Sequence, residues 1–297
     1  MRPERPAKWT LKSRSLDLSL RPLVMGILNV TPDSFSDGGR FAAAENAVDQ
    51  ALAMESAGAD IIDVGGESTR PYSDPVAVEE EWRRVGPVLA GLQGALTVPI
   101  SIDTSKAEIA RRALEAGVEI INDVTGLEGD PDMVRVARES KAGVCAMHMR
   151  GTPQTMQDDP SYEDVVREIG DYLLQRRDFL TREGIEVERI CLDPGIGFGK
   201  LHGHNLELIR EVDRFHELGC PLLVGHSRKG FIAKELGGPE KNRLAGTLGV
   251  SLALAQKGIQ ILRVHDVPET VDGLRLFQVS GGLSGSQWST QLMPQVS

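Results

Sequence analysis

The sequence is poor in cysteine and in aromatic residues, and it has no long hydrophobic run. Its three cysteines, Cys145, Cys191 and Cys220, lie in or beside apolar segments, which predicts buried free thiols in a reducing compartment. No stretch approaches the ~20 consecutive apolar residues of a membrane-spanning helix. No apolar segment follows the charged start MRPERPAKWT, so no signal peptide is predicted. We therefore expect a cytoplasmic protein.

The chain also lacks an excess of positive charge. Its 33 Lys and Arg residues are outnumbered by 43 Asp and Glu residues, which gives a formal net charge of -10. This balance disfavours a general basic surface for nucleic acid or anionic lipid, and we expect neither as a partner. A ligand that carries phosphate would therefore need a local positive pocket.

Short apolar runs alternate with segments of helical periodicity from residue 23 onward. The runs show little polar alternation, which is typical of parallel strands covered on both faces. They are Leu23–Val30, Asp60–Gly65, Val98–Ile102, Val118–Asn122, Gly143–Met147, Arg189–Leu192, Pro221–Val224 and Gly258–Val264. Eight evenly spread units predict an α/β fold, a single (β/α)8 TIM barrel. An open doubly wound sheet is the alternative, although no GxGxxG motif opens the first unit.

The predicted barrel occupies residues 23–279, between an N-terminal extension (1–22) and a flexible tail (280–297). Leu11–Leu20 alternates apolar and polar residues, which predicts a small hairpin under the barrel. The tail is polar and rich in glycine. Inside the barrel, Ser105-Lys-Ala-Glu108 matches a capping box and predicts a helix that begins there.

Polar residues follow several of the predicted strands, at the end of the barrel where active sites lie. Asp103, Asn122 and Asp193 come from three strands, and Lys229 follows a fourth. A flat heterocycle with several N–H donors would satisfy such acids, because one carboxylate accepts two parallel N–H bonds. The alternative is that each aspartate caps the helix after its strand.

Positive side chains at the same strand ends predict an anion site. Arg263 and His265 alternate along one strand and so point to the same side, and Lys229 and Arg70 add charge. With Asn29 they would bind a diphosphate whose oxygens Mg²⁺ could bridge. The alternative for Arg263 is a salt bridge to a neighbouring acid. The glycine-rich segment from Gly195 to Lys200 is not a P-loop and predicts a tight turn with Phe198 facing the ligand.

Seven segments of the chain resemble the signature segments of the dihydropteroate synthase family. They are MGILNVTPDSFSDGG (25–39), DVGGESTRP (63–71), SIDTSK (101–106), INDVTG (121–126), DPGIGFGK (193–200), GHSRKG (225–230) and RVHDV (263–267). The resemblance implies a (β/α)8 homodimer of the folate pathway. It also implies a Mg²⁺-dependent transferase that joins 6-hydroxymethyl-7,8-dihydropterin diphosphate to 4-aminobenzoate, releases pyrophosphate and is a target of sulfonamides.

The resemblance also implies a role for each matching residue. Pterin binding falls to Asp103, Asn122, Asp193, Lys229 and Arg263. Diphosphate binding falls to Asn29, Arg263 and His265, with Asn29 as the metal ligand. Aminobenzoate binding falls to Thr69, Arg70, Pro71, Phe35, Phe198 and Ser227. The residues implied to be catalytic are Lys229, Arg263, Asp103 and Asp37.

One position departs from the family pattern, and three other functions stay open. Gly230 stands where many family members carry serine, which predicts retained activity with altered affinity for aminobenzoate and sulfonamides. The chain could instead be a methyltetrahydrofolate corrinoid methyltransferase or a non-catalytic pterin-binding paralogue. In an aldolase-like barrel, Lys229 would form a Schiff base.

Overall fold

The chain forms a parallel barrel with a small antiparallel hairpin beside it. The computed structural model describes residues 5–31, 39–283 and 288. Strands β1 (Lys8–Thr10) and β2 (Ser15–Asp17) form the hairpin. The barrel strands are β3 (Leu23–Asn29), β4 (Ile61–Gly65), β5 (Ile100–Asp103), β6 (Ile120–Asp123), β7 (Gly143–Met147), β8 (Ile190–Asp193), β9 (Leu223–Val224) and β10 (Ile261–Val264).

The eight barrel strands are all parallel and follow the order β8-β7-β6-β5-β4-β3-β10-β9. The two outer strands of this order meet, because Leu192 in β8 forms a parallel bridge with Leu222 beside β9. The Leu192 N–H donates to the carbonyl of Pro221 at 2.9 Å. The TIM-like barrel predicted from the apolar runs is confirmed, and the open sheet is wrong.

Helices cover the outside of the barrel and hide the outer face of its strands. They are α1 (Gly39–Ser56), α2 (Val78–Leu92), α3 (Ala107–Glu115), α4 (Met133–Ser140), α5 (Val165–Arg182), α6 (His202–Glu211), α7 (Gly230–Glu235), α8 (Leu244–Gln256) and α9 (Val267–Val279). Strands such as β4, β6 and β8 are buried at every position, which explains their unbroken apolar sequence. Among the described residues, no helix has the length and apolar character to span a membrane.

The helix predicted to begin with a capping box at Ser105 begins instead at Ala107. The side chain of the N-cap residue, Lys106, makes no capping hydrogen bond to the first turn of this helix. The N–H of Ala107 donates to Asp130 Oδ2 at 2.9 Å, so a carboxylate from the next βα unit does the capping. The capping-box prediction is therefore wrong.

The N-terminal hairpin closes the floor of the barrel, as its alternating sequence predicts. Trp9 and Leu18 are buried against residues at the N-terminal ends of the strands. The indole N–H of Trp9 donates to the carbonyl of Arg189 at 2.9 Å. The lower core contains Leu23, Met25, Ile61, Ile120, Cys145, Cys191, Leu223 and Ile261. Apolar packing therefore fills the lower half and leaves the polar residues to the opposite end.

We expect Trp9→Ala to destabilise the fold by about 3–5 kcal/mol, the usual cost of removing a buried Trp side chain. The side chain is fully buried and its N–H is bonded, so both packing and a hydrogen bond are lost. Urea unfolding followed by circular dichroism measures the change. Leu20→Ala, at a residue that is 38% exposed, is the matched control. Equal destabilisation by both variants would contradict the role assigned to the hairpin.

Candidate active site

Polar side chains gather at the carboxyl ends of the barrel strands. Asn29, Gly65, Asp103 and Asn122 are register partners on four adjacent strands, β3 to β6. A Cβ added to Gly65 would lie 3.5 Å from Asp103 Cβ and 3.9 Å from Asn29 Oδ1. Glycine at this position therefore leaves space between the carboxylate and the amide. The structure brings these two predicted site residues to one side of the mouth.

Arg263 crosses the barrel interior and connects acids on two other strands. Its Nε donates to Asp63 Oδ2 at 2.6 Å, and its Nη2 donates to Asp103 Oδ2 at 2.6 Å. Asn122 Nδ2 also donates to Asp63 Oδ2, at 3.1 Å. Burial lowers the pKa of Arg263, but the charges of Asp63 and Asp103 more than offset this, so the guanidinium stays protonated. The salt bridge considered for Arg263 is present, within the predicted site.

Asp63 is a polar member of this network that the sequence analysis did not single out. It lies in the middle of β4, and its side chain is completely buried. The signal was a single charge inside an otherwise apolar strand, Ile61-Ile-Asp-Val-Gly65, which was predicted to be covered on both faces. Such a charge needs partners inside the barrel.

Asp193 and Lys229 form the opposite side of the mouth. Asp193 Oδ1 accepts from the N–H of Gly195 at 2.7 Å. Burial lowers the pKa of Lys229 to about 8, against the opposing charge of Asp193. Burial likewise raises the pKa of Asp193, and Lys229 is the largest opposing charge. The two groups therefore interact as a partly buried pair of opposite charge.

The segment after β8 is the predicted tight turn, and it supports Lys229. Gly197 has a φ of +87°, and a Cβ there would lie 3.0 Å from Lys229 Cδ. The Lys229 ammonium donates to the carbonyl of Ile196 and lies 4.4 Å from the ring centroid of Phe198. Phe198 therefore lies beside Lys229, and its contact with a ligand stays a prediction.

Ser227 and His265 meet at the end of β10. His265 Nδ1 and Ser227 Oγ are 3.1 Å apart, and the His265 N–H donates to the same hydroxyl at 3.2 Å. Burial lowers the pKa of His265 to about 4, with further lowering by Arg263, Arg228 and Arg70. His265 is therefore neutral near pH 7 and offers a ring nitrogen, which corrects the expectation that it supplies positive charge.

Three of the remaining predicted residues lie in one connecting segment. Thr69, Arg70 and Pro71 lie between β4 and α2, where Arg70 and Pro71 are exposed. The positive charge of Arg70 contributes to the lowered pKa of His265. Phe35 and Asp37 lie outside the described residues.

The residues present fit a magnesium ion that is held mainly by substrate. Within the described ranges, no group of three or more His, Cys, Asp and Glu side chains could hold a metal. Asn29 nevertheless offers a hard amide oxygen beside Gly65 at the mouth. Mg²⁺ often takes only one or two protein oxygens and completes its shell with phosphate and water. Asn29 is therefore a suitable single protein ligand.

Comparison with known proteins decides the family. The family model described as pterin binding enzyme matches residues 25–265. The chain is 47% identical over 273 residues to the dihydropteroate synthase of Escherichia coli K12, which covers 92% of this chain and 96% of the relative. The chain belongs to the dihydropteroate synthase family.

Solved dihydropteroate synthases share the fold described above. The Yersinia pestis dihydropteroate synthase, solved with a sulfonamide drug complex, has a TM-score of 0.86 and 41% identity over 92% of this chain and 98% of its own. The Xanthomonas albilineans dihydropteroate synthase with 4-aminobenzoic acid has a TM-score of 0.85 and 42% identity over the same shares. Membership of this family disfavours the aldolase-like and methyltransferase alternatives.

Proposed function

We propose that the chain condenses 6-hydroxymethyl-7,8-dihydropterin diphosphate with 4-aminobenzoate to give 7,8-dihydropteroate and pyrophosphate, as a dihydropteroate synthase. One observation carries the proposal: buried acceptors and two cationic side chains meet at one mouth of the barrel. Asp103 and Asn122 lie on neighbouring strands, and Arg263 bonds to Asp103. The charges of Asp193, Lys229 and Arg263 act on one another.

The acceptors suit the N–H edge of a pterin. Asp103 and Asp193 supply carboxylate oxygens, and each can accept from adjacent N–H donors of a flat ring. One N–H of the Asn122 amide donates to Asp63, so its carbonyl oxygen and its second N–H are left for a ligand. All three side chains therefore offer acceptors, which matches a ring edge rich in donors.

The cationic groups suit the departing diphosphate. In the proposed reaction the C–O bond at the pterin methylene breaks, and its electron pair leaves with the diphosphate oxygen. Arg263 stabilises the negative charge that develops there, and neutral His265 offers a hydrogen bond. Mg²⁺, when bound at Asn29 and the diphosphate, supplies additional charge neutralisation. The nearby carboxylates favour the positive charge left on the pterin.

The arylamine completes the reaction. The nitrogen of 4-aminobenzoate attacks the methylene carbon, an N–C bond forms, and the amine loses a proton to water. No enzyme nucleophile is needed, so proximity and orientation supply the remaining rate enhancement. We propose that Thr69, Arg70, Pro71, Phe198 and Ser227 bind the aminobenzoate, together with Phe35 and Asp37. Lys229, Arg263 and Asp103 are the proposed catalytic residues.

Pyrophosphate release in a coupled assay tests this function. We expect release only when the pterin diphosphate and 4-aminobenzoate are both present, with loss on chelation of magnesium. Release without aminobenzoate would indicate a hydrolase instead. No release with both substrates, despite measurable pterin binding, would favour the non-catalytic paralogue. Trapping of a carbonyl substrate by borohydride on Lys229 would favour the Schiff-base alternative.

We expect Gly230→Ser to fold normally and to remain active with a changed KM for 4-aminobenzoate. A Cβ at Gly230 would meet no atom within 4 Å, so serine fits at the start of α7 without a clash. Its hydroxyl would add a hydrogen-bond donor next to Lys229 in the chain. Steady-state kinetics with each substrate varied measures the effect. An unchanged KM for aminobenzoate would remove Gly230 from the determinants of that site.

The partly buried ammonium of Lys229 predicts an alkaline limb in the pH profile. Its pKa is lowered to about 8 by burial, so the cation beside Asp193 is lost as the pH rises through that value. We expect kcat/KM for the pterin diphosphate to fall above pH 8, because this parameter reports the free enzyme. Lys229→Arg should move the limb beyond the measurable range, since arginine stays charged. An unmoved limb in that variant would assign it to another group.

We further propose a homodimer in the cytoplasm, with residues 1–22, 23–279 and 280–297 as extension, barrel and tail. The three cysteines are free and buried, which is typical of a reducing compartment. Leu276 and Val279 on α9 are 65% and 74% exposed, and an interface would cover them. Sedimentation of the parent and of Leu276→Glu tests this, with a monomeric parent as the contrary result.

A further inference from the structure

Asp63 occupies an unusual position inside the barrel. Its Oδ2 accepts from Arg263 Nε at 2.6 Å and from Asn122 Nδ2 at 3.1 Å. Its Oδ1 is buried and has no hydrogen-bond partner among the described residues. A buried carboxylate is costly unless it is paired and hydrogen-bonded, so this charge must be balanced by Arg263. Two residues of the proposed site thus depend on one oxygen of Asp63.

Arg263 has a second acid partner, and the two acids differ in their access to the mouth. The side chain of Asp63 is 0% exposed, whereas that of Asp103 is 10% exposed and that of Arg263 is 19% exposed. A ligand that arrives at the mouth therefore reaches Asp103 and Arg263 before it could reach Asp63. Because the proposed function assigns Asp103 to the pterin, its bond to Arg263 competes directly with the ligand.

We propose that Asp63 is a positioning residue for the reaction: it anchors Arg263 permanently, while Asp103 is the partner that Arg263 gives up when the pterin diphosphate binds. The Nε contact holds the guanidinium in the barrel, and the freed Nη2 turns from Asp103 to the substrate. The same carboxylate accepts one N–H of Asn122, which fixes the orientation of that amide group. This inference rests on the proposed function and adds a residue to it.

Asp123 provides a matched control for a substitution of Asp63. It is also completely buried, in β6, and one of its carboxylate oxygens has no hydrogen-bond partner within the described ranges. Its other oxygen accepts from the N–H and the hydroxyl of Thr125, at 2.8 Å and 2.7 Å. Successive strand residues alternate in direction, so Asp123 lies on the opposite face from Asn122. Asp→Asn there removes a buried charge without touching Arg263.

We expect Asp63→Asn to lower kcat by about 10- to 100-fold and to raise KM for the pterin diphosphate, because a misplaced guanidinium stabilises the leaving group poorly. KM for 4-aminobenzoate should change by less than about twofold, because the effect is local to Arg263. General damage to the fold would instead change the KM of both substrates. Asp123→Asn should lower the melting temperature similarly and leave both KM values near those of the parent. Equal kinetic effects of the two substitutions would overturn the proposal.

A measurement on the unaltered protein covers the case in which Asp63→Asn does not fold. The ¹⁵N-resolved Nε–H resonance of Arg263, assigned through Arg263→Lys, should stay protected from solvent when 6-hydroxymethylpterin diphosphate and Mg²⁺ saturate the site. The Nη resonances should shift under the same conditions. Loss of Nε–H protection on binding would overturn the proposal. An inactive parent that still binds the pterin would overturn the proposed function alone.

Discussion

Lys229→Ala is expected to reduce turnover to near background while the fold stays intact. The substitution removes the cation with the largest electrostatic effect on Asp193, at a position where the ammonium lies over the ring of Phe198. Loss of one pre-placed charged group from a reacting centre costs about 10²- to 10³-fold in kcat. Pyrophosphate release under saturating substrates measures the effect.

A nearby surface lysine provides the control for that experiment. Lys234 is exposed in the last turn of α7, so Lys234→Ala removes the same charge outside the mouth. We expect this variant to turn over like the parent and to melt at a similar temperature to Lys229→Ala. Near-normal turnover by Lys229→Ala would remove Lys229 from the proposed catalytic residues.

Asp193→Asn is expected to weaken pterin binding by about 10- to 100-fold, because hydrogen bonds to a charged group contribute about 1.5–3 kcal/mol. Asparagine retains the oxygen that accepts from Gly195, so the turn after β8 should persist. The expected loss of affinity therefore comes from weaker recognition of the N–H edge of the pterin. Calorimetry with 6-hydroxymethylpterin measures the affinity without any turnover.

The control for Asp193→Asn is an aspartate of the protein surface. Asp213 lies in the segment before β9 and pairs at 3.0 Å with Lys257, which ends α8 before β10, so neither residue follows the carboxyl end of a strand. The two side chains are about one third exposed, and ion pairs in contact with solvent contribute about 0–1 kcal/mol to stability. Asp213→Asn should therefore leave the fold and the pterin affinity unchanged. If Asp193→Asn binds the pterin as tightly as the parent does, the proposal that carboxylates recognise the edge of the pterin ring is contradicted.

The barrel was predictable because its strands are buried on both faces and so leave continuous apolar runs. Where a strand begins later than its apolar run, the end of the preceding helix explains the difference. The run Gly258–Val264 contains a strand only from Ile261, because Gly258 ends α8 with a φ of +82°. The N–H of Ile259 then bonds back to Leu254 at 3.1 Å. The first residues of the apolar run therefore belong to the left-handed turn that ends α8, and not to the strand.

The site was predictable where chemistry follows a strand end, and unpredictable where it depends on contacts between distant segments. Asp103 and Asn122 could be placed together from strand order alone. The cap of α3 by Asp130 and the bond between Asp63 and Arg263 join residues far apart in the sequence. Local patterns carry no information about such pairs, since the barrel closure that creates them is a property of the whole chain.

The three thiols make unfolding directly observable by chemistry. Cys145, Cys191 and Cys220 are fully shielded from solvent, and Cys145 in β7 is the register partner of Cys191 in β8. A thiol reagent can therefore react only with molecules whose barrel has opened. The rate of alkylation in native buffer therefore reports how often the barrel opens. Saturation with both substrates should lower this rate, because ligand binding shifts the equilibrium towards the closed form.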